Sequence, residues 1–219
     1  MSLPPVYLVD ASVYIFRAWF SMPDEFVNAA GEPTNAVYGF SGFLCSLLEQ
    51  TQAKHIGLAF DESLSKSYRN EIYPEYKANR DPAPEELKRQ FNWARSVAES
   101  MGLSCFADDR YEADDLIGTT ARQAAAAGFD VTIVTGDKDF VQLLTERITI
   151  WDPMKDKDIG MQDIAAANGV SPPQMIDVMG LSGDTADNVP GVPGIGPKTA
   201  LKLIQSYQSL EGVYAHIEE

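Results

Sequence analysis

Acidic residues follow the apolar segments of this chain at the points where strands are expected to end. Asp10 follows Val-Tyr-Leu-Val, Asp61 follows Ile-Gly-Leu-Ala-Phe, and Asp137 follows Val-Thr-Ile-Val-Thr-Gly. These segments alternate with helix-like ones, a pattern that predicts an α/β fold with a mainly parallel sheet covered by helices on both faces. Ligands of such sheets bind outside the carboxyl ends of the strands, so the three carboxylates are expected to share one rim.

The alternation ends near residue 160, where we place a boundary between a core of residues 1–160 and a second region of residues 161–219. Within the core, strands are predicted at 6–9, 56–60, 104–107, 131–134 and 147–151, and helices at 12–20, 36–51, 85–100, 111–127 and 140–144. Ser12 is expected to cap the first helix. Beyond the boundary, short helices are predicted at 161–167 and 173–179, and the chain then becomes dense in Gly and Pro.

A set of acidic side chains at motif positions is the candidate for a metal centre. Two unit charges about 4 Å apart repel by roughly 4 kcal/mol at an effective dielectric near 20. A cluster of such charges would therefore outweigh a typical protein stability of about 5–15 kcal/mol unless cations bind to it. Oxygen ligands favour Mg²⁺ or Mn²⁺. The set has nine members: Asp10, Asp61, Glu112, Asp114, Asp115, Asp137, Asp139, Asp184 and Asp187.

Each acidic motif also has a simpler structural interpretation. Acids at 112–115 would stabilise a helix N-terminus through its dipole, residues 135–139 would form a Gly- and Asp-rich turn, and Asp184 with Asp187 would be loop acids. The acids at 152–158 fail the spacing of an EF-hand and are interpreted as a solvated turn. Three acids on a helix whose Leu116 and Ile117 must pack inward favour the metal interpretation at 112–115, and position at the predicted sheet rim favours it at 135–139. For Asp184 and Asp187, which could also face one ion together, both interpretations stay open.

The overall charge at first argues against a nucleic-acid partner, since 17 basic residues face 32 acidic ones and the net charge is −15. The distribution weakens this objection, because residues 66–95 carry seven basic residues, including Lys66, against five acidic ones. No apolar run is long enough to predict a membrane helix, and Met-Ser-Leu-Pro-Pro at the start lacks the basic and apolar regions expected of a signal peptide. Cys45 and Cys105 are interpreted as reduced core thiols, and we expect a cytoplasmic monomer.

Two segments have the features of phosphate- or base-binding sites. In Asn188-Val-Pro-Gly-Val-Pro-Gly-Ile-Gly-Pro-Lys-Thr-Ala, a tight hairpin leads into a helix, whose free N–H groups would hold a phosphate beside Lys198. The glycines would let the backbone approach the ligand closely. In Tyr76-Lys77-Ala-Asn-Arg80, an aromatic ring and two cations would contact a base and its phosphates. A helix–turn–helix corner and a solvated loop are the respective alternatives.

Taken together, the chain resembles the 5′-nuclease family, which includes the 5′→3′ exonuclease domain of bacterial DNA polymerase I, phage exonucleases and flap endonucleases. The resemblance rests on six segments in family order: Val9-Asp10, Phe60-Asp61, Tyr73–Arg80, Glu112–Asp115, Thr135–Asp139 and Gly183–Lys198. It implies a PIN-like core with a helix–hairpin–helix region and a helical arch of residues 62–95. Polymerase-associated members continue beyond the hairpin helix, so we interpret the chain as a short stand-alone member or as a piece of a longer one.

The resemblance also implies roles for individual residues. Asp10, Glu112, Asp114, Asp115 and Asp137 or Asp139 would surround one ion. Asp61, Asp137, Asp139, Asp184 and Asp187 would serve a second ion or its waters. Lys77 and Arg80 would face the scissile phosphate, with Asp114 and Asp115 taking part in catalysis. Contacts to DNA would come from Arg69, Tyr76, Lys77, Arg80, Gly194, Gly196, Lys198 and Thr199. Main-chain carbonyls of Val189, Val192 and Ile195 would hold a potassium ion.

The function predicted from these residues is hydrolysis of DNA phosphodiesters at 5′ ends or flaps. Two divalent ions about 3.5–4 Å apart would activate water and stabilise the attacking and leaving oxygens. The product would carry a 5′-phosphate, and a functional link to a DNA polymerase is expected. A non-catalytic module that binds branched DNA and a PIN-type ribonuclease are the alternatives.

Overall fold

The structure, a computed structural model, describes residues 3–23, 25–62 and 67–218. Its main sheet contains six strands: β1 (Val6–Asp10), β2 (His55–Asp61), β3 (Ser104–Asp108), β4 (Val131–Val134), β5 (Ile148–Asp152) and β6 (Lys157–Ile159). Their spatial order is β3-β2-β1-β4-β5-β6, and all pairs are parallel except β5 with β6. The predicted mainly parallel α/β sheet is therefore confirmed.

Helices cover both faces of this sheet. The helices of the first 126 residues are α1 (Ala11–Ser21), α2 (Asn35–Thr51), α3 (Tyr68–Ile72), α4 (Glu85–Ser100) and α5 (Ala113–Ala126). The apolar sides of α1, α2 and α4 share one core cluster with one face of the sheet, around Phe40, Leu58 and Phe91. On the opposite face, α5 packs through Ile117 and Ala121 against Ile133 and a 3-10 helix of residues Lys138–Leu143.

The order of the strands reverses between β1 and β4, the two central strands. From β1 the chain proceeds outward to β2 and β3, and it then returns to β4 on the other side of β1. Ligands of doubly wound sheets bind at such a reversal, beyond the carboxyl ends of the strands. Asp10 ends β1 at this point, and Thr135 follows the end of β4.

The first helix begins differently from the prediction. Asp10, not Ser12, is the N-cap of α1, and its Oδ1 accepts a hydrogen bond from Val13 N at 3.3 Å. Ser12 is buried, and its hydroxyl accepts from Asp61 N at 3.1 Å. The predicted cap was wrong because α1 begins at Ala11, directly after β1, so the last residue of the strand, Asp10, is the N-cap. Both side chains instead tie β1, α1 and β2 together.

The predicted arch of residues 62–95 is only partly an arch. Its residues 63–66, including Lys66, lie outside the described residues. From residue 85 onward the chain forms α4, whose buried Gln90 accepts from Ala36 N at 2.8 Å and Val37 N at 3.1 Å and so caps α2. Helix α4 therefore belongs to the core. Residues 67–80, which we call the arch segment, contain α3 and a series of turns.

The C-terminal region has its own small core. It contains α6 (Met161–Asn168), α7 (Gln174–Ser182), α8 (Pro197–Tyr207) and α9 (Leu210–Ala215), with a two-stranded ladder of β7 (Gly183–Asp184) and β8 (Val189–Pro190). Val178, Leu181, Ala200 and Ile204 are buried together. Ile164 of α6 packs instead in the cluster around Ile117 and Ile133, and Met175 of α7 contacts both clusters, so this small core adjoins that of the main sheet.

Three smaller observations complete the fold. Of the acids at 152–158, Asp152 and Asp158 flank the predicted solvated turn, which lies at residues 153–156 and connects the antiparallel strands β5 and β6. Both cysteines are free, but Cys45 is exposed and is not a core thiol. Among the described residues, no helix has the length and apolarity needed to cross a bilayer.

Candidate active site

Five of the nine predicted carboxylates form an inner group at the carboxyl edge of the sheet. They are Asp10, Asp61, Asp114, Asp137 and Asp139, supplied by β1, β2, the first turn of α5 and the residues after β4. None of them makes an ion pair with a basic residue in the described parts of the chain. The inner group therefore concentrates negative charge that the chain itself does not neutralise.

Asp10 is the most enclosed member of the inner group. Its side chain is buried and accepts a hydrogen bond from Thr135 Oγ1 at 3.1 Å across the strand reversal. The pKa of Asp10 is raised to about 7, chiefly by burial and then by the nearby charges of Asp61 and Asp137. Its hydrogen bonds from Val13 and Thr135 act in the opposite direction and lower this pKa.

Two further members of the inner group have raised pKa values. Burial raises the pKa of Asp114 to about 8, followed in importance by the charges of Asp10, Asp137 and Asp61. Burial, followed by the charge of Asp137, raises the pKa of Asp139 to about 6. In addition, Asp139 Oδ1 is buried and has no hydrogen-bond partner among the described residues. These carboxylates need a counter-charge if they are to ionise at neutral pH.

The other four carboxylates form an outer group, and each already has a cationic partner. Arg69 makes a bidentate pair with Asp115 at 2.7 and 2.9 Å, and Lys77 Nζ lies 2.9 Å from Glu112 Oε2. Arg80 pairs with Asp187. Lys138 Nζ lies 3.0 Å from Asp184 Oδ2. The arch segment thus supplies cations to three of the four outer acids.

This division explains why the nine carboxylates do not converge at one point. Within the described residues, no three Asp, Glu, His or Cys side chains come close enough together to form a ready metal site. The outer acids are turned toward the arch cations and Lys138, while the inner acids repel one another. The donor set still fits hard divalent cations, since it consists of carboxylate oxygens and includes the unpartnered Asp139 Oδ1.

The Tyr76 hydroxyl links the arch segment to two outer acids. It lies 3.1 Å from Glu112 Oε2 and 3.0 Å from Asp187 Oδ2, and its ring is buried. The sequence had predicted that Tyr76 stacks on a base. In this structure it is a hydrogen-bond donor inside the site, and Lys77 lies over its ring at 4.9 Å from the centroid. A stacking surface would require the ring to become exposed.

A set of hydrogen bonds, which we call the clasp, fastens residues 75–80 to the loop 184–188. Lys77 N donates to Asp187 O at 2.9 Å, and Asn79 Nδ2 donates to Thr185 O at 2.9 Å. In the reverse direction, Asn188 Nδ2 donates to Glu75 O at 2.7 Å. Lys77 and Asn188 both have left-handed backbones, with φ of 56° and 58°. Neither asparagine was identified as functional from the sequence.

The hairpin after β8 leads into α8 as predicted. Gly194 has a φ of 81°, a conformation that favours glycine, and Gly196 is the N-cap of α8 with Pro197 in the first turn. Lys198 is exposed beside it. Thr199 N already donates to Gly196 O at 3.0 Å, so this amide is not free to hold a phosphate. Val192 O likewise accepts from Ile195 N at 3.0 Å, and the potassium site remains a prediction.

A cavity of about 1010 Å³ connects the acidic centre with the arch segment. Tyr68, Ile72 and Tyr73 line it on the arch side, and Arg122 of α5 lines it further from the carboxylates. The cavity is at the upper end of the range of small-molecule pockets, about 300–1,000 Å³. It is large enough for an extended ligand that reaches from the acids along α5.

The fold and the acidic rim define a resolvase-like α/β protein with a carboxylate centre. Two family models match consecutive parts of the chain: "5′-3′ exonuclease, N-terminal resolvase-like domain" over residues 5–169 and "5′-3′ exonuclease, C-terminal SAM fold" over residues 170–219. The chain belongs to the 5′-3′ exonuclease family, a family of nucleases. The predicted domain boundary near residue 160 remains a prediction.

Similar curated proteins are DNA polymerases I. The enzyme of Rhizobium leguminosarum is 44% identical over 213 residues, which cover 94% of this chain and 21% of that protein. That of Bacillus subtilis is 38% identical over 216 residues, which cover 97% of this chain and 24% of that protein. The chain thus spans about a quarter of the length of these relatives.

Solved structures with the same fold include nucleases with bound metal or DNA. T5 5′-exonuclease with bound zinc has a TM-score of 0.80 and 22% identity, covering 98% of this chain and 80% of that one. The catalytic core of Rad2 in complex with a DNA substrate has a TM-score of 0.62 and 19% identity, covering 95% and 63%. At these identities the likeness is one of fold.

Proposed function

We propose that this chain is a divalent-metal-dependent 5′-nuclease that hydrolyses DNA phosphodiesters at 5′ ends and flaps and leaves 5′-phosphate products. The observation that carries the proposal is the inner group of five carboxylates without cationic partners. At neutral pH these carboxylates can all ionise together only with bound cations, because burial and mutual repulsion otherwise favour their protonated forms. The same residues lie beside a segment that carries Arg69, Lys77 and Arg80.

The inner acids are the proposed ligands of the metal. Asp10 and Asp114, with Asp61, Asp137 and Asp139, would hold Mg²⁺ or Mn²⁺, and the outer acids Glu112, Asp115, Asp184 and Asp187 would join them directly or through water. Such ions lower the pKa of a bound water and stabilise charge on the phosphate oxygens. The two divalent ions predicted from the sequence are part of this proposal. The potassium ion at the hairpin is also part of it.

The arch cations would change partners when substrate and metal bind. Lys77 and Arg80 are held within the site by Glu112 and Asp187, so only a local rearrangement separates them from a phosphate at the inner acids. Preorganised cations of this kind stabilise the negative charge that develops on a phosphoryl group. Arg69 and Tyr76, which belong to the same arch segment, are further proposed contacts to the DNA.

Specificity for ends and branches follows from the enclosed position of the acids. The arch segment and the clasp restrict access to the inner group, so a single strand enters more readily than a duplex. The hairpin with Gly194, Gly196 and Lys198 would contact the phosphates of an adjacent duplex without reading bases. The functional link to a DNA polymerase, the monomeric state and the cytoplasmic location also remain predictions.

The deciding experiment is cleavage of an end-labelled 5′-flap DNA with Mg²⁺ and with EDTA. The expected result is metal-dependent cleavage, with product lengths that report polarity and cut position. Tight binding of an intact flap in Mg²⁺ would instead identify a non-catalytic branched-DNA module. Preferential cleavage of the matching RNA flap would support the ribonuclease alternative. Asp158→Asn is a matched control, because Asp158 is exposed and lies outside both acidic groups.

A further inference from the structure

A second cavity, of about 530 Å³, borders the acidic centre and is lined by no residue of the arch segment. It is lined by α1, by the residues after β4 and by the end of β5 with the turn that follows. Asp137 of the inner group forms part of its wall. The cavity therefore borders the proposed active site at Asp137, and its residues on α1 have no role among those assigned above.

The buried hydroxyl of Tyr14 is the feature of this cavity that lacks a partner. Tyr14 lines the cavity and is only 3% exposed, and its hydroxyl has no hydrogen-bond partner among the described residues. Its ring is stacked on Phe43 with centroids 4.0 Å apart, which fixes the position of the hydroxyl. A buried hydroxyl without a partner costs free energy, so such groups in proteins are normally satisfied.

The cations around the cavity identify the kind of partner that is missing. Arg17, one helical turn from Tyr14, lines the cavity, is exposed and makes no ion pair with any described residue. Lys138 and Lys155 also line it, and they are paired with Asp184 and with Asp152. A fixed O–H donor and an unpaired guanidinium in the wall of one cavity are suited to an anionic oxygen.

The acids in the same wall do not cancel this preference. Asp152 is occupied by Lys155 Nζ at 2.9 Å and accepts from Met154 N at 3.1 Å. Asp137 faces the inner group, where the proposed metal would neutralise it. The phenol remains a donor, because burial and the charges of Asp152 and Asp10 raise the pKa of Tyr14. With Asp137 neutralised by the proposed metal, the cavity offers donors at Tyr14 and Arg17, and its remaining carboxylate, Asp152, is already paired.

We propose that Tyr14 and Arg17 form a phosphate-binding site for the nucleic-acid strand on the α1 side of the acidic centre. The site rests on the proposed function, because it takes its ligand from the same substrate. It holds a phosphate next to the one that is cleaved, so that the strand is anchored on both sides of the reaction centre. The arch cations contact one side, and Tyr14 with Arg17 contact the other.

The test is DNA binding measured by fluorescence anisotropy with a labelled 5′-flap DNA, in Ca²⁺ and at several salt concentrations. Tyr14→Phe removes only the hydroxyl, and we expect about tenfold weaker binding from the loss of one hydrogen bond to a charged group. Arg17→Ala should weaken binding to a similar extent and reduce the slope of log affinity against log salt by about one. Lys54→Ala, at the opposite edge of the sheet before β2, is the charge-matched control and should stay within about twofold.

Thermal unfolding separates this role from a structural one. Removing an unpartnered buried hydroxyl should leave the melting temperature of Tyr14→Phe unchanged or raise it. Weaker binding together with unchanged stability supports the site. Wild-type affinity and salt slope in both Tyr14→Phe and Arg17→Ala would overturn it. Competition with inorganic phosphate distinguishes a site for free phosphate from a site for the strand. If the site binds free phosphate, added phosphate should displace duplex and flap DNA equally. If it binds the strand, the two complexes should respond differently.

The result is independent of catalysis. If the wild-type chain binds flap DNA but does not cleave it in Mg²⁺, the proposed nuclease function fails while the Tyr14 and Arg17 variants still report on the phosphate site. If the wild-type chain cleaves normally and both variants behave like it, the phosphate site fails and the nuclease function stands.

Discussion

Lys77 Nζ lies 2.9 Å from Glu112 Oε2, although the two residues come from separate elements 35 positions apart. The backbone of Lys77 is left-handed, which non-glycine residues rarely adopt, and the clasp holds it in that conformation. The structure thus places a cation among acids that the proposed metal also needs. Displacement of Lys77 by metal and substrate would deliver it to the phosphate.

Lys77→Ala should reduce single-turnover cleavage of a 5′-flap DNA by about 10²–10³-fold, since it removes a preorganised donor to the transition state. Binding in Ca²⁺ should change much less. Lys88→Ala is the matched control, because Lys88 forms an exposed pair with Glu85 on α4 and should leave the rate near that of the wild type. Equal rates for the two variants would remove Lys77 from the mechanism.

Asp114→Asn should abolish metal-dependent cleavage, with a loss of at least about 100-fold. Even the removal of a residue that only hydrogen-bonds to a metal ligand typically lowers metal affinity or activity by about 10–100-fold. In EDTA at pH 8 the same variant should unfold at a higher temperature than the wild type, since it no longer places that charge among Asp10, Asp61 and Asp137. Asp158→Asn should change neither quantity. A melting temperature for Asp114→Asn well below that of the wild type would contradict the proposed repulsion.

The metal-free protein should lose stability as the pH rises from about 4 to about 8. Asp10 and Asp114 have pKa values of about 7 and about 8 in the folded chain against an ordinary 3.8, so the folded state binds more protons than the unfolded state in this range. The stabilisation that comes from the protons on Asp10 and Asp114 in the folded state is complete below the ordinary pKa of 3.8. It is lost as the pH rises through the raised values of about 7 and about 8.

Urea unfolding in EDTA between pH 5 and 8 measures this dependence. Added Mg²⁺ should stabilise the protein more at pH 8 than at pH 5, because protonated carboxylates compete with the metal. Asp114→Asn should show a shallower decline than the wild type. A wild-type stability that is constant or increases over this interval would show that the inner acids are not coupled as described.

Asn188→Gly should loosen the clasp without straining the backbone, because glycine accepts the φ of 58° that Asn188 adopts. Loss of its 2.7 Å hydrogen bond to Glu75 O should lower the cleavage rate by about 3–10-fold. Asn188→Asp, which keeps the shape but lacks the donor, should have at least as large an effect. The arch segment should also become more sensitive to limited proteolysis in both variants.

If Asn188→Gly and Asn188→Asp cleave flap DNA at the wild-type rate and resist protease equally well, the clasp has no role in positioning the arch cations. An effect on binding alone, with an unchanged rate at saturation, would assign the clasp to substrate capture instead.

The sequence was sufficient to predict the sheet and its acidic rim, because both follow from local patterns. Val6–Asp10 and Val131–Val134 are short apolar runs that end at polar residues, and parallel pairing brings those ends to one edge. The features that the sequence did not predict depend on contacts between segments that are distant in the chain. Two examples are the ion pair of Arg69 with Asp115 and the hydrogen bond of Asn188 to Glu75 O, which join residues that are far apart in the sequence.

The arch was the least accurate part of the prediction for a physical reason. Leu87, Phe91 and Ala94 recur with helical spacing, and this apolar face draws residues 85–100 into the core. Tyr14 was not singled out, because an aromatic residue on the inner face of a helix is usually only part of the core. Only its unpartnered hydroxyl, visible in the structure, distinguishes it.

The ion pairs between the arch cations and the outer acids have a consequence for how the protein meets random DNA. When the positive groups of the arch segment exchange these internal partners for the phosphates of a duplex, little is gained from counterion release, since each new contact breaks an old one. Under the proposed function, contact of this segment with bulk double-stranded DNA would be close to a neutral exchange. Residence on DNA would then depend on places, such as a loose 5′ end, where a strand can reach the acids.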